Sequence, residues 1–294
     1  MKQSYGYLLI VLTSAIWGTM GIFGKLAFEY GIDPVNLIAL RVIISTITLF
    51  FFITVFRRQL FRVEKGDLLK LLILGLFGTA LQRITYFYAI DLTTATIAAI
   101  LFYTYPIFVT IYAALFLKEK LSFFSTLAII LAFLGVALVV RAYESAWLSV
   151  NLFGAASGLA CGVLFALYFL TTKGLRTRYT NWTLLFYGEG FAALALTPTF
   201  LWSIPKMASY PAQLWILVLI IAFFPSLTAY LIFSYALRHV ESAKGSILSV
   251  VEPSTAAILS VMVLEERLEL LQLFGLALAL IGIILLFYQP KIKR

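Results

Sequence analysis

Apolar residues in this chain come in long unbroken runs, without the alternation of a strand or the one-sided spacing of a surface helix. Stretches of about 20 largely uncharged residues recur from end to end, which is the length a helix needs to cross a bilayer. Pro, Gly and charged clusters separate them. The pattern predicts an all-α integral membrane protein with ten transmembrane helices, at about 5–30, 35–55, 68–90, 93–116, 121–140, 152–172, 182–202, 214–237, 245–264 and 270–287. The first run, Tyr5 to Tyr30, is too long for a secretory signal and lacks a small-residue cleavage site, so it is expected to be retained, with the chain beginning near Met1.

Charge fixes an expected orientation. With the N-terminus inside, Lys2, Arg57, Arg58, Arg62, Lys65, Lys70, Lys118, Lys120, Lys173, Arg176, Arg178, Arg238, Lys244, Lys291, Lys293 and Arg294 fall on the cytoplasmic side. Only Arg141, Lys206 and Arg267 fall on the other. Basic residues favour cytoplasmic loops, so both termini are predicted to be cytoplasmic and the protein to be a multi-pass component of the cytoplasmic (inner) membrane.

An internal repeat emerges on shifting the second half by 147 positions. Tyr88-Ala89-Ile90 then meets Tyr235-Ala236-Leu237, Pro106 meets Pro253, Glu119 and Leu121 meet Glu266 and Leu268, and Gly135 meets Gly282. The expected units are residues 1–143 and 150–290, five helices each. An odd number of crossings per unit inverts the second copy. Inverted repeats are a design of secondary transporters, with the solute bound near the midplane between the halves.

Composition removes other classes. The chain is 63% hydrophobic and 12% charged, with a mean hydropathy of +1.02, so water is the wrong solvent for it. Its formal charge of +9 lies in short loops and not on one face, which argues against a nucleic-acid partner. One cysteine, Cys161, and one histidine, His239, leave no basis for a disulfide framework or a Cys/His metal site. No nucleophile-base constellation, zinc-protease motif or phosphate-cradling loop occurs, so neither an enzyme nor an ATP-driven pump is expected, and no cofactor.

Charges inside a membrane need a partner or an aqueous cavity. Arg41, Arg83, Glu189 and Glu252 are the deepest, and they either pair across helices as fixed bridges or serve a solute or proton. Trp17, Gln82, Tyr86, Tyr103, Tyr105 and Tyr187 combine apolar area with hydrogen-bonding ends and suit the wall of a cavity. Gly18, Gly21 and Gly24 permit close or sliding helix contact. Pro106 and Pro253, symmetric in the repeat and mid-span, predict a kink in spans 4 and 9 that serves as hinge or as fixed shape.

Several of these residues form a family pattern. Trp17-Gly18 followed by Lys25, Arg41 in span 2, the stretch Tyr86-Phe-Tyr-Ala-Ile-Asp-Leu-Thr-Thr-Ala95, Tyr105-Pro106, Phe116-Leu-Lys-Glu-Lys-Leu121, Glu252-Pro253 and Leu264-Glu-Glu-Arg-Leu268 together resemble the EamA-type branch of the drug/metabolite transporter superfamily, over nearly the whole chain. The resemblance implies a ten-helix bundle around a central cavity lined by both halves, helices 5 and 10 at the periphery, and a common role in exporting amino acids or other metabolites. Arg83 beside Gln82 stands outside that pattern, and its fork suits a carboxylate. Span 1 carries no glutamate before Glu29, unlike the small multidrug relatives.

The expected function is a secondary transporter moving a small polar, amino-acid-like solute outward by alternating access. Arg83 and Arg41 would orient an anionic group. Trp17, Gln82, Tyr86, Tyr103 and Tyr187 would line the site, and Glu189 and Glu252 would bind an ammonium, balance the arginines or relay protons. Gly21, Pro106 and Pro253 are the candidate hinge or gate. Expected partners are the small solute, the lipid bilayer and protons as a candidate coupling ion, in a monomer or homodimer. Two competing readings are a transporter of cationic amines held by Glu189 or Glu252 in an aromatic cage, and a non-transporting membrane scaffold.

Overall fold

The computed structural model describes residues 2–92, 98, 101–116, 123–139, 143, 151–249, 251–264 and 268–287, and every regular element among them is helical. The blocks 117–122 and 265–267, part of span 4 (93–97 and 99–100), Arg141 and the tail 288–294 lie outside the described residues. The first half contains α1 (Lys2–Gly18), α2 (Met20–Phe28), α3 (Pro34–Phe56), α4 (Leu68–Gly75), α5 (Gln82–Leu92), α6 (Tyr105–Phe116) and α7 (Phe123–Val139). The second contains α8 (Leu152–Leu175), α9 (Asn181–Met207), α10 (Ala212–Ile221), α11 (Ala229–Ala236), α12 (Ser242–Leu248), α13 (Val251–Leu264) and α14 (Leu270–Phe287). Three helix starts, those of α3, α8 and α9, carry side-chain caps. Asp33 Oδ1 accepts from the Val35 and Asn36 amides at 2.8 and 3.1 Å, with Pro34 next to it, and Asn151 Oδ1 caps α8 in the same way.

Seven helices of the described chain are long and apolar enough to cross a membrane, and three shorter apolar helices accompany them, Tyr105–Phe116, Thr126–Leu138 and Leu270–Gly282. Their outer surface is apolar: Phe51, Phe56, Leu152, Trp202 and Leu270 are all more than half exposed. A soluble protein does not present such a continuous surface, whereas lipid tails solvate it at no cost.

The repeat is visible as geometry. π-Helical segments join α4 to α5 (Leu76–Leu81) and α10 to α11 (Ala222–Thr228), at positions related by the 147-residue shift. Helices α7 and α14 pack against each other through matching contacts. A Cβ on Gly135 would lie 2.7 Å from Gly275 O and 2.6 Å from Ala279 N, while one on Gly282 would lie 3.0 Å from Ala128 O and 3.1 Å from Ala132 N. Residues 128 and 132 shift onto 275 and 279, so the two glycines sit about one pseudo-two-fold axis. This pair forms the periphery, contacting the rest mainly through α12 and α13. Toward the interior, α1 packs on α11 and α13 as α8 packs on α5 and α6, and α3 crosses α9.

Three spans are broken. Span 1 stops at Gly18, turns at Thr19 and resumes at Met20. Span 4 turns at Tyr103 and Thr104 before α6, and span 9 is divided between Leu248 and Val251. Pro106 and Pro253 lie in the first turn of the helix that follows each break, where a missing N–H costs nothing. The expected mid-helix kinks are therefore clean breaks just before the prolines. The breaks are packed against small residues. A Cβ on Gly18 would lie 2.8 Å from Glu252 O, and one on Gly162 3.1 Å from Leu101 O and 3.0 Å from Thr104 Oγ1.

At one end of the bundle the basic segments meet. Asp67, 2% exposed, accepts from Lys70 (2.8 Å), Arg178 (3.0 Å) and the Tyr179 hydroxyl (2.9 Å), and Tyr179 Oη accepts from the Glu64 amide at 3.1 Å. The hydrogen bond that Arg178 donates to the Asp67 carboxylate raises the pKa of its guanidinium. Gly6 abuts His239 and Val240, and Lys173 donates to Ser242 at 2.7 Å, so the start of α1 and the turn before α12 belong to the same end. At the other end Lys206 donates to Gly31 O at 3.1 Å and Tyr143 bonds Glu269.

Candidate functional site

The site is built on the π segment of span 3. Gly75 and Gly78 let this stretch close on its neighbours: a Cβ on Gly75 would fall 2.4 Å from Phe191 Cβ, and one on Gly78 3.0 Å from Tyr168 Cβ. Thr79 donates its hydroxyl to Leu74 O, five residues back, at 3.1 Å, which satisfies a carbonyl that the wider turn frees. The next residues, Gln82 and Arg83, are thereby pressed between α8 and α9.

Arg83 is 5% exposed and Glu189 3%. Arg83 Nη2 donates to Glu189 Oε1 at 2.9 Å and Nη1 to Oε2 at 3.2 Å, a two-pronged bridge. The guanidinium also lies over the Tyr230 ring, 5.4 Å from its centroid. Both terminal nitrogens are engaged by Glu189, so the fork expected to hold a solute carboxylate already holds one from the protein. Glu189 is engaged in the same way. A buried pair of this kind is costly to break, because removing one partner strands the other.

Two charges in the core lack such a partner. Arg41, 9% exposed, has no carboxylate partner among the described residues; its Nη1 donates only to Met20 Sδ at 3.3 Å and its Nε donates to nothing. Met20 is the first residue after the break in span 1, and the Arg83–Glu189 pair lies in the electrostatic neighbourhood of Arg41. Glu252, partly buried, occupies the first turn after the break in span 9. The Tyr103 phenol is directed at its carboxyl group, and Tyr86 and Tyr105 lie near. No basic side chain pairs with it among the described residues.

Aromatic rings fill the core near both charges, Tyr230 by Arg41 and Tyr86, Tyr103 and Tyr105 by Glu252. Trp17 packs on Tyr230, Phe233 and Phe165 with centroids 4.9, 4.8 and 6.1 Å away, and its indole N–H, buried, has no acceptor among the described residues. Phe165 continues the stack to Tyr105 at 4.7 Å and Phe102 at 5.3 Å, and Phe102 meets Tyr86 at 5.7 Å. Gln82 donates to Cys161 Sγ at 3.2 Å and Tyr105 to Ser246 O at 3.2 Å. A void of about 10 Å³ bordered by Tyr103 and Pro106 has room for one water.

The fold thus brings together Trp17, Arg41, Gln82, Arg83, Tyr86, Tyr103, Glu189 and Glu252, with Gly21 and Pro106 each two residues from a break and Pro253 four residues from the turn at Ser249. Tyr187 stands apart. Its hydroxyl donates to Phe61 O at 2.8 Å and its ring packs with Leu71, Leu175 and Leu184 at the basic end. Tyr230, Phe165 and Met20 belong to the site and escaped the sequence reading. The repeat shift marks one of them, since it carries Arg83 onto Tyr230, the residue it stacks on, just as it carries Tyr105 onto Glu252.

The model of the EamA-like transporter family matches residues 4–141 and again residues 152–288. An uncharacterized transporter of Archaeoglobus fulgidus is 28% identical over 284 residues, covering 96% of both chains. The uncharacterized transporter YetK of Bacillus subtilis is 27% identical, covering 99% of this chain and 89% of the relative. The uncharacterized inner membrane transporter YicL of Salmonella typhimurium is 24% identical over 97% and 96%. One crystal structure superimposes with a TM-score of 0.77 over 96% of this chain and 97% of the other at 17% identity, which shows a shared fold.

Proposed function

This chain belongs to the EamA-like transporter family, and from that premise we propose that it is a secondary transporter carrying a small polar organic solute outward across the inner membrane by alternating access. The observation that carries the reading is the pair of core charges, Arg41 and Glu252, each beside or packed on a helix break and neither with an ion-pair partner among the described residues. Leaving a charge unpaired in a membrane core is expensive, and a solute with complementary groups offsets that cost.

In this mechanism Arg41 receives an anionic group such as a carboxylate, and Glu252, framed by Tyr103, Tyr86 and Trp17, receives an ammonium group. The Arg83–Glu189 bridge, neutral as a unit, holds spans 3 and 7 together beneath them. The rings now fill the space, so solute entry requires the halves to separate. The breaks at Thr19, Tyr103–Thr104 and Ser249 let half-helices tilt, and the pseudo-two-fold relation supplies a mirror-image state opening to the other side. Ten crossings, halves of 1–143 and 150–290 and two cytoplasmic termini are part of the proposal. They are supported by the gathering of basic segments at one end, and the inner membrane by the relative named for it. Protons remain a coupling ion open to Glu252.

Glu252 within its aromatic surround favours a second reading, transport of cationic amines, in which Arg41 plays no part in binding. A thermal-shift screen of detergent-solubilised protein against zwitterions, carboxylates and amines tests both. Stabilisation by zwitterions that vanishes in Arg41→Gln supports the first; stabilisation by amines alone, lost in Glu252→Gln, supports the second; none from any solute in well-folded protein removes both.

A further inference from the structure

At the basic end of the bundle, a cleft of about 310 Å³ opens between the end of α3 in one half and the start of α9 in the other. Phe52, Leu60 and Trp182 form its apolar walls, and Arg57, Gln59 and Thr180 its polar rim. Phe52 and Trp182 stack at 4.6 Å with planes 21° apart, so one half supplies one ring of the wall and the other half its neighbour. The apolar wall runs straight onto the outer surface of α3, where Phe51, Val55 and Phe56 are 62–68% exposed.

The rim is positive without a matching protein anion. The chain leaves the helix at Arg57 and enters a short 3-10 turn, Arg58–Phe61, which keeps Arg57, Arg58 and Arg62 close to the cleft. Arg58 Nε returns to its own helix, donating to Thr54 O at 2.8 Å. None of the three arginines has an ion pair among the described residues, while the nearby acids Glu64 and Asp67 are engaged by Arg178 and Lys70. Facing Arg57 across the cleft is the capped N-terminus of α9, the positive end of a 27-residue helix.

We propose that this cleft binds the headgroup of an anionic phospholipid. Its phosphate sits between Arg57 and the start of α9, and its acyl chains lie along Phe51, Val55 and Phe56. The volume suits a headgroup, a tryptophan belongs at headgroup depth, and a soluble anion would gain nothing from the apolar wall that leads into the bilayer. Because the walls come from both halves, a bound lipid ties α3 to α9 and stabilises the bundle. The site is separate from the solute site and stands without it.

The test uses full-length purified protein stripped of lipid and given phosphatidylglycerol, phosphatidylcholine or inorganic phosphate, with retention read by native mass spectrometry and stability by thermal shift. Phosphatidylglycerol is expected to be retained and to raise the melting temperature, phosphatidylcholine and inorganic phosphate to do neither. Arg57→Gln should weaken phosphatidylglycerol retention about fivefold, the factor carried by one basic residue at a membrane surface. Lys206→Gln, at the opposite end, should leave it unchanged. Arg57 is exposed, so the variant folds. Equal retention of phosphatidylcholine, equal stabilisation by inorganic phosphate, or an unchanged Arg57→Gln would each overturn the proposal.

Discussion

Replacing Arg83 with methionine strands the Glu189 carboxylate, 3% exposed, without the two donors at 2.9 and 3.2 Å that now satisfy it. Removing one partner of a buried pair costs about 3–5 kcal/mol, and Glu189→Leu, which strands the guanidinium, should cost a similar amount. The double variant Arg83→Met/Glu189→Leu removes both charges and keeps the volume roughly constant. It loses the ring contact of Arg83 with Tyr230, worth about 0.5–2 kcal/mol, and should therefore lie only about 1–2 kcal/mol below the parent. The resulting coupling of about 4 kcal/mol or more lies above the range of about 0.5–3 kcal/mol usual for residues in contact. Unfolding in mixed micelles titrated with dodecyl sulfate measures the four free energies, and flux in proteoliposomes measures activity. Since the bridge is structural in this account, the double variant should still transport. Additive losses would show that the charges do not pair, and a folded but inactive double variant would show that Arg83 touches the solute.

Arg41→Gln removes a buried charge that has no carboxylate partner among the described residues, so its thermal stability should match or exceed that of the parent while solute binding falls, a trade-off that a melting curve and a binding assay detect together. Gly135→Val forces a side chain to within 2.6 Å of Ala279 N and should destabilise by about 1–3 kcal/mol or more, since backbone cannot give way as a side-chain tip does. The same substitution at Gly174, which has nothing within 4 Å, should cost far less in the same melting assay. Asp67→Asn removes the charge and one of the two acceptor oxygens that serve Lys70, Arg178 and Tyr179 and should loosen the basic end. Cysteines placed in the 57–67 turn should then react faster with a water-soluble maleimide, and an unchanged rate would show that these bonds do not hold that end closed.

The membrane class and the repeat were legible because each rests on many residues. A run of 20 apolar residues has few other solutions in water or lipid, and Gly135 and Gly282 kept their equivalence because both sit at a backbone contact that admits no side chain. The partner of each charge was not legible. Arg83 and Glu189 are 106 positions apart, and only the packing of Gly75 on Phe191 brings their helices to bonding distance. The π segments also follow from tertiary packing, here of Gly78 on Tyr168, and apolar runs of identical composition do not signal them. Proline pointed to kinks in spans 4 and 9, but the breaks fall where the preceding turn can relax, with the described turn residues two to four positions earlier. Tyr187 misled because a tyrosine near the start of a span is equally good at holding a loop carbonyl, and only the position of Phe61 decides between the uses.

Counterflow into proteoliposomes, run with zwitterions, simple carboxylates and simple amines for the parent, Arg41→Gln and Glu252→Gln, tests the solute site most directly. The account predicts exchange of a zwitterion by the parent, loss of carboxylate-bearing solutes in Arg41→Gln, and loss of ammonium-bearing solutes in Glu252→Gln. Identical solute profiles in all three proteins would contradict it.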